Sequence, residues 1–444
     1  MVFSSISKLN YRLFSVLLIS SFIPTLYSTA RIYFLGNLPE PWAFSIAAQV
    51  AWLNVTYEVL SEALLLPLAY ILGAVISDKK KFAERMTFSL LIFLIFYVVV
   101  TTGVLVFTGE LTSGMKQTIE LYQKTVIYIR LESLAILISS TYAFCCLVLV
   151  LKNKHRVMYT LLVIRTLFTV LFDSMFVSQL PFSMQLGVNG VAYTNILVNS
   201  ILLCLSVYWL VRYGFSLNKL LHAQFDWVKE WFQIGLKSGL ESFVRNVAFI
   251  VMILQLVNEV KQSGVFWVTN QFIWGWLLLP VLALGQLIRQ DAACSKGLSS
   301  ERIKAYFSMT SIFVLLWLIT IPLWKDFLQH FMGIKEYEKI FNLTILMLGF
   351  YIIFAFNNVI DSYFYGIGRT DLMLYQSLIV NIFYYGGAFI LFKNNWFIPN
   401  LNSIAIMFGV GITVDALVTF LLYRYHRQND GLYVHQKAIS LQVQ

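Results

Sequence analysis

Twelve separated stretches of mainly apolar residues, each long enough to form a helix across a bilayer, dominate this sequence. They lie near 13–35, 44–77, 86–108, 122–151, 157–178, 188–211, 232–257, 264–288, 305–325, 340–364, 371–392 and 402–423. A span needs roughly 20 such residues, because the hydrocarbon core is about 30 Å thick. Only 12% of the 444 residues are charged and 59% are hydrophobic. A soluble domain carries about 25% charged residues, so this chain cannot coat a water-facing surface of its size. The reading is an all-α polytopic membrane protein, and the first apolar run is read as a fold helix rather than a cleaved leader.

The formal charge of +10 is distributed along the chain in a way that speaks of orientation rather than nucleic acid. Placing both termini and every second loop on one face gives that face about 20 Lys and Arg against about 7 on the other. Both termini are therefore expected in the cytoplasm, with Lys79-Lys80-Lys81 as a topogenic loop. The two halves also repeat. Leu64-Leu65-Leu66-Pro67 recurs as Leu277-Leu278-Leu279-Pro280, Arg156 as Arg369 and Asn189 as Asn402, all at an offset of 213 residues. A shared offset at separated anchors points to duplication. It predicts an N-terminal lobe over 1–213, a polar cytoplasmic linker over 214–230 and a C-terminal lobe over 231–444, related by an axis along the membrane normal.

Five cations and seven acids fall at membrane depth: Arg31, Arg130, Arg165, Lys237, Arg245, and Glu58, Glu62, Glu132, Asp173, Glu241, Asp361, Asp415. Each costs roughly 2.5–3.5 kcal/mol at a helix centre on insertion scales, so they are expected to pair or to line water. Glu58 and Glu62 share a helix face, and so do Glu241 and Arg245. Ion pairs that merely glue helices explain any single pair; a hydrated cavity explains their number. Gln255, Asn270, Gln271, Asn357, Asn358 and Asn381 add hydrogen-bonding groups. Pro24, Pro67, Pro280 and Pro322 within spans allow bends. Trp274 and Trp276, with Phe266, Trp267 and Phe272, give span 8 an aromatic belt or a substrate-facing wall. His155, His222, His330, His426 and His435 sit in loops or at span ends, Cys145, Cys146, Cys204 and Cys294 show no CxxC spacing, and no GxxxxGK[ST] occurs. Neither a metal site, an intramembrane hydrolase nor an ATPase is indicated.

Short motifs then narrow the class: Leu35-Gly36-Asn37-Leu38 after span 1, Leu171-Phe172-Asp173 in span 5 and Gly187-Val188-Asn189-Gly190-Val191-Ala192 entering span 6. Ile234-Gly235-Leu236 opens span 7, and Gly366-Ile367-Gly368-Arg369-Thr370 joins spans 10 and 11. In this order they resemble the MATE family of multidrug and toxin extrusion transporters, within the wider group of multidrug, oligosaccharidyl-lipid and polysaccharide flippases. The resemblance covers nearly the whole length. It implies two pseudo-symmetric six-helix lobes and alternating access, in an antiporter that exports small organic or amphipathic solutes. It further implies a monomer in the plasma or inner membrane, contacting lipid and small-molecule substrate but no nucleic acid, and no cofactor beyond a coupling ion, Na⁺ or H⁺. The alternative within the group is a flippase for lipid-linked or anionic substrates.

The chain departs from the family pattern where cations are concerned. Arg31 stands where many relatives carry an acid, Arg245 stands at the span-7 acid position, and Phe354 aligns with the span-10 acid. The candidate ion-coupling or cavity residues are Arg31, Glu58, Glu62, Arg165, Thr169, Asp173, Asn195, Glu241, Arg245, Gln271 and Asp361. Arg31 is expected to pair with Asp173 and occupy the place of a bound cation. Arg31, Arg165 and Arg245 are expected to bias a cavity toward carboxylate or phosphate. Glu58, Glu62 and Asp361 remain proton-carrier candidates.

Overall fold

Hydrocarbon offers no hydrogen bonds, so each apolar run must satisfy its own backbone, and helices result. The computed structural model describes residues 9–40, 42–215, 225–295 and 298–442, and all their side chains except those of 294–295 and 428–442. Lys219 and His222 of the expected linker, and the side chains of Cys294 and His435, lie outside the described residues. The spanning helices are α1 (Tyr11–Gly36), α2 (Ala43–Gly73), α3 (Lys79–Val106), α4 (Ile119–Leu151), α5 (His155–Phe176) and α6 (Val188–Arg212). They continue as α7 (Asp226–Glu259), α8 (Ser263–Leu277 with Leu279–Ala293), α9 (Ser300–Phe331), α10 (Tyr337–Gly366), α11 (Thr370–Lys393) and α12 (Leu401–Gln442). Eleven are single helices long and apolar enough to cross a membrane; α8 makes twelve if its two bent segments form one span. The chain is an integral membrane protein, and no strand occurs among the described residues.

Prolines act differently from site to site. Pro280 lies just after the break in α8, whose halves meet at 55°. Its missing N–H leaves a carbonyl one turn back without a helical partner. Pro67 instead follows a π-helical turn at Ser61–Leu65, which absorbs the lost bond without breaking α2. Pro24 and Pro322 remain inside continuous helices.

Packing divides the chain into two compact units. One comprises Leu26–Val268 with Leu328–Glu336; the other comprises the described part of Met1–Thr25, with Thr269–Phe327 and Tyr337–Gln444. In the first unit, α7 packs directly on α2. A Cβ at Gly235 would overlap the Ala63 carbonyl oxygen, and one at Gly239 would come within 2.7 Å of the Ala63 methyl. Small residues four apart let two backbones approach this closely. The Trp231 indole N–H donates to the Leu64 carbonyl at 3.0 Å, in the π-helical turn ahead of Pro67.

The far end of α7 is tied down as well. Gln49 and Asn258 exchange amide hydrogen bonds at 2.7 and 3.0 Å, Asn258 also donates to the Met115 carbonyl at 2.8 Å, and Lys116 pairs with Glu259 at 2.7 Å. Residues 328–336 join this unit through the end of α1: Lys335 donates to the Leu38 carbonyl at 3.2 Å, and Gly333 lies so near Gly36 that a Cβ there would stand 2.5 Å from its oxygen. The interior is aromatic, with Phe93 and Tyr97 stacked at 4.2 Å and the Tyr57 hydroxyl 2.7 Å from that of Thr101.

In the other unit α10 is the most enclosed helix. It meets α8 where Gly285 admits the side chains of Asn358 and Ser362, and where Gly366 lies against Arg289 and Ala292. Asn358 donates to the Val281 carbonyl at 3.1 Å, a group near the Pro280 break.

Gly239→Val is expected to cost about 1–3 kcal/mol through overpacking, read as a lower melting temperature of the full chain in nanodiscs. Gly387→Ala, where a Cβ meets nothing within 4 Å, leaves it unchanged.

Candidate functional site

Helix α1 places Arg31 opposite Asp173 of α5. The guanidinium donates from Nε to Oδ2 at 2.9 Å and from Nη2 to Oδ1 at 3.3 Å, a two-pronged grip on a carboxylate that is 1% exposed. Thr169 is buried one turn before Asp173. On the neighbouring helices Asn195 of α6 donates to both oxygens of Glu132 of α4, at 2.9 and 3.1 Å. Glu132 is buried and forms no ion pair among the described residues, though Arg31 attracts it at longer range. One guanidinium thus stands among two carboxylates. Glu132 is a site member that the candidate set omitted; its membrane depth and its acid character were the available signals.

The second constellation follows from the α2–α7 contact. Glu58 and Glu62 sit one turn apart on α2, and Glu241 and Arg245 one turn apart on α7. Because Gly235 and Gly239 bring these helices together, the Arg245 side chain reaches across. Its Nη2 donates to Glu58 at 3.0 Å and to Glu62 at 2.9 Å, while its Nη1 donates to Glu241 at 3.0 Å. The side chains are partly open, from 19% exposed at Glu241 to 46% at Glu58. One guanidinium shared by three carboxylates leaves two negative charges in excess when all are ionised.

The expected anion-binding role of the arginines does not fit this geometry. Arg31 and Arg245 already donate to carboxylates, and acids outnumber the guanidinium at each place. Arg165 differs: it faces Asn199 at 3.4 Å and the Tyr142 ring at 5.9 Å, and forms no ion pair among the described residues. It stands apart from the Arg31 pair. Gln271 and Asp361 belong to the other unit. Asp361 accepts from Asn357 at 3.0 Å and from Thr419 at 3.3 Å.

The aromatic residues of α8 have separate jobs. The Trp274 N–H donates to the Tyr351 hydroxyl at 3.2 Å, which donates to Asn270 at 3.1 Å. Phe354, at the expected acid position, packs edge-on against Trp274 at 5.2 Å. Trp276 instead lines an apolar cavity of about 340 Å³ with Phe272, Phe313, Trp317, Trp324 and Phe327. No group of three or more His, Cys, Asp or Glu suited to a metal ion occurs among the described residues.

These helices and their order match a fold seen in solved structures. A multidrug resistance MATE family transporter of the MOP superfamily, in an inward-facing conformation, is similar at a TM-score of 0.77 and 18% identity, covering 90% of this chain and 94% of that one. A MOP superfamily transporter from Pyrococcus furiosus is similar at 0.68 and 19% identity, covering 94% of both chains. A Vibrio cholerae MATE transporter is similar at 0.68 and 12% identity, covering 98% and 99%. No protein-family model matches the sequence, and no curated protein does. The chain has the fold of the MATE transporters.

Arg31→Ala leaves Asp173 as a buried charge without its partner, a change that costs about 3–5 kcal/mol. Melting of the full chain is expected to fall accordingly, and added Na⁺ is expected to restore more stability to the variant than it adds to the parent.

Proposed function

We propose that this chain is a secondary active transporter of the MATE type, exporting small organic or amphipathic solutes by alternating access in exchange for H⁺ or Na⁺. The observation that carries the reading is the Arg245 cluster, with three carboxylates around one guanidinium, partly open and held by two helices. Surplus negative charge at membrane depth is costly, and a positive ligand or ion offsets it. A site of that polarity binds a cationic solute or the driving ion and releases one when the other enters. Export then needs no hydrolysis, only competition for the same acids.

The fold supports this reading, and the bias of Lys and Arg is consistent with both termini in the cytoplasm. The Pyrococcus furiosus structure is described by a reversed polarity of its binding pocket that suggests a different function. In this chain Arg31 and Arg245 replace acids of the family pattern, yet carboxylates outnumber them at both places. We therefore assign cationic or neutral amphipathic solutes in preference to anionic ones.

Proteoliposome counterflow with imposed H⁺ or Na⁺ gradients tests the assignment. Uptake of an organic cation is expected to follow one of the gradients and to fall at least about tenfold in Glu58→Gln/Glu62→Gln, a loss of about 1.4 kcal/mol or more. Gradient-independent flux, or transport of organic anions alone, would overturn it.

A further inference from the structure

The ends of α2, α4 and α6 and the starts of α3 and α5 carry a basic surface that the Arg31 and Arg245 clusters do not use. The stretches 73–86, 149–158 and 208–215 hold eight Lys or Arg against two acids, Asp78 and Glu84. The Asp78 carboxylate caps α3, accepting from the Lys80 and Lys81 backbone amides at 3.0 and 3.1 Å. No side chain of these stretches forms an ion pair among the described residues.

Lys152, just past the end of α4, is the centre of this surface. Its ammonium donates to the Ile76 carbonyl at 3.3 Å and lies 3.7 Å over the Phe82 ring and 6.0 Å from that of Tyr213. An ammonium has three donors, so two remain. Burial and the nearby Lys79 hold this group below the usual lysine range, the mark of two cations that repel each other. Arg212 ends α6 with its guanidinium 5.5 Å over the Trp209 ring, and Trp209 stacks on Tyr213 at 6.4 Å. The Tyr213 hydroxyl is enclosed without a hydrogen-bond partner. Orientation in the membrane requires only that cations lie near span ends. It does not require Lys79 to stand by Lys152 over an aromatic floor, where an anion would relieve their repulsion. A strip of exposed apolar side chains, Leu205, Tyr208 and Val211, runs along the last turns of α6 to Arg212.

We propose that Lys79, Lys152 and Arg212 bind the headgroup of an anionic phospholipid, whose acyl chains lie along the exposed strip of α6. The cations supply unspent donors for phosphodiester oxygens, and the strip continues from them into the hydrocarbon, as a free phosphate would not need. Trp209 and Tyr213 sit at the depth where such amphipathic rings meet headgroups. Each Lys or Arg at such a surface is worth about fivefold in affinity for anionic lipid. The inference rests on the chain being an integral membrane protein and requires no transport.

The test is native mass spectrometry of the full chain, delipidated in neutral detergent and titrated with dioleoylphosphatidylglycerol or dioleoylphosphatidylcholine. The first phosphatidylglycerol is expected to bind at least about tenfold more tightly than phosphatidylcholine. Lys79→Gln/Lys152→Gln is expected to abolish that preference and Arg212→Gln to reduce it about fivefold, whereas Lys79→Arg/Lys152→Arg retains it. Lys304→Gln/Arg424→Gln removes the same charge elsewhere and leaves the preference unchanged. Tryptophan-fluorescence melting confirms that each variant is folded. Equal affinity for the two lipids, or a preference that survives Lys79→Gln/Lys152→Gln, would overturn the site. So would an equal loss in Lys304→Gln/Arg424→Gln, which marks diffuse charge, or displacement of the lipid by inorganic phosphate, which marks a plain anion site.

Discussion

An ionised side chain in hydrocarbon has to find its compensation inside the protein, and this constraint organises the structure. Arg31 takes Asp173, Arg245 takes three glutamates, and Asp361 and Asp415 share the amide of Asn357. None of these arrangements is an isolated pair between equal partners. Each leaves acids in excess, a condition stable only if water, protons or cations reach the group. That surplus separates a site from an ion pair whose sole effect is to hold helices together.

The backbone supplies the placement. Gly235 and Gly239 let α7 lie against α2, and the π-helical turn before Pro67 absorbs the proline while its Leu64 carbonyl receives the Trp231 indole. Without that closeness the Arg245 side chain would not span from Glu241 to Glu58. The amide pair of Gln49 and Asn258 fixes the opposite end of the same helix. Together these contacts explain why α7 packs in the same unit as α2–α6. The polar groups of one helix are divided between a lock at its end and an acid cluster along its length.

Much of this was legible in the residues. Each expected apolar run became one of the helices, because length and hydropathy decide which segments can span a bilayer. The Arg31–Asp173 pairing followed from a basic residue at an acid position, and the Glu241–Arg245 contact from helical spacing. What a linear reading could not supply was the partner across helices. The spacing of Glu58 and Glu62 places them on one face but does not say that α7 covers it. Asp415 and Asn357, 58 residues apart, meet only through the packing of α10 on α12. Likewise Arg31, Arg165 and Arg245 looked like anion binders one at a time; counted with their neighbours, Arg31 and Arg245 are outnumbered by acids.

The polarity of the Arg245 cluster is the claim on which the functional account stands, and equilibrium binding of a matched pair of ions reads it directly. The full chain in nanodiscs is offered tetraphenylphosphonium and tetraphenylborate, equal in size and shape and opposite in charge. Saturable binding of the cation, absent for the anion when each is offered separately and lost when Glu58 and Glu62 are made neutral, is the predicted result. Saturable binding of the anion, dependent on Arg245, would contradict it.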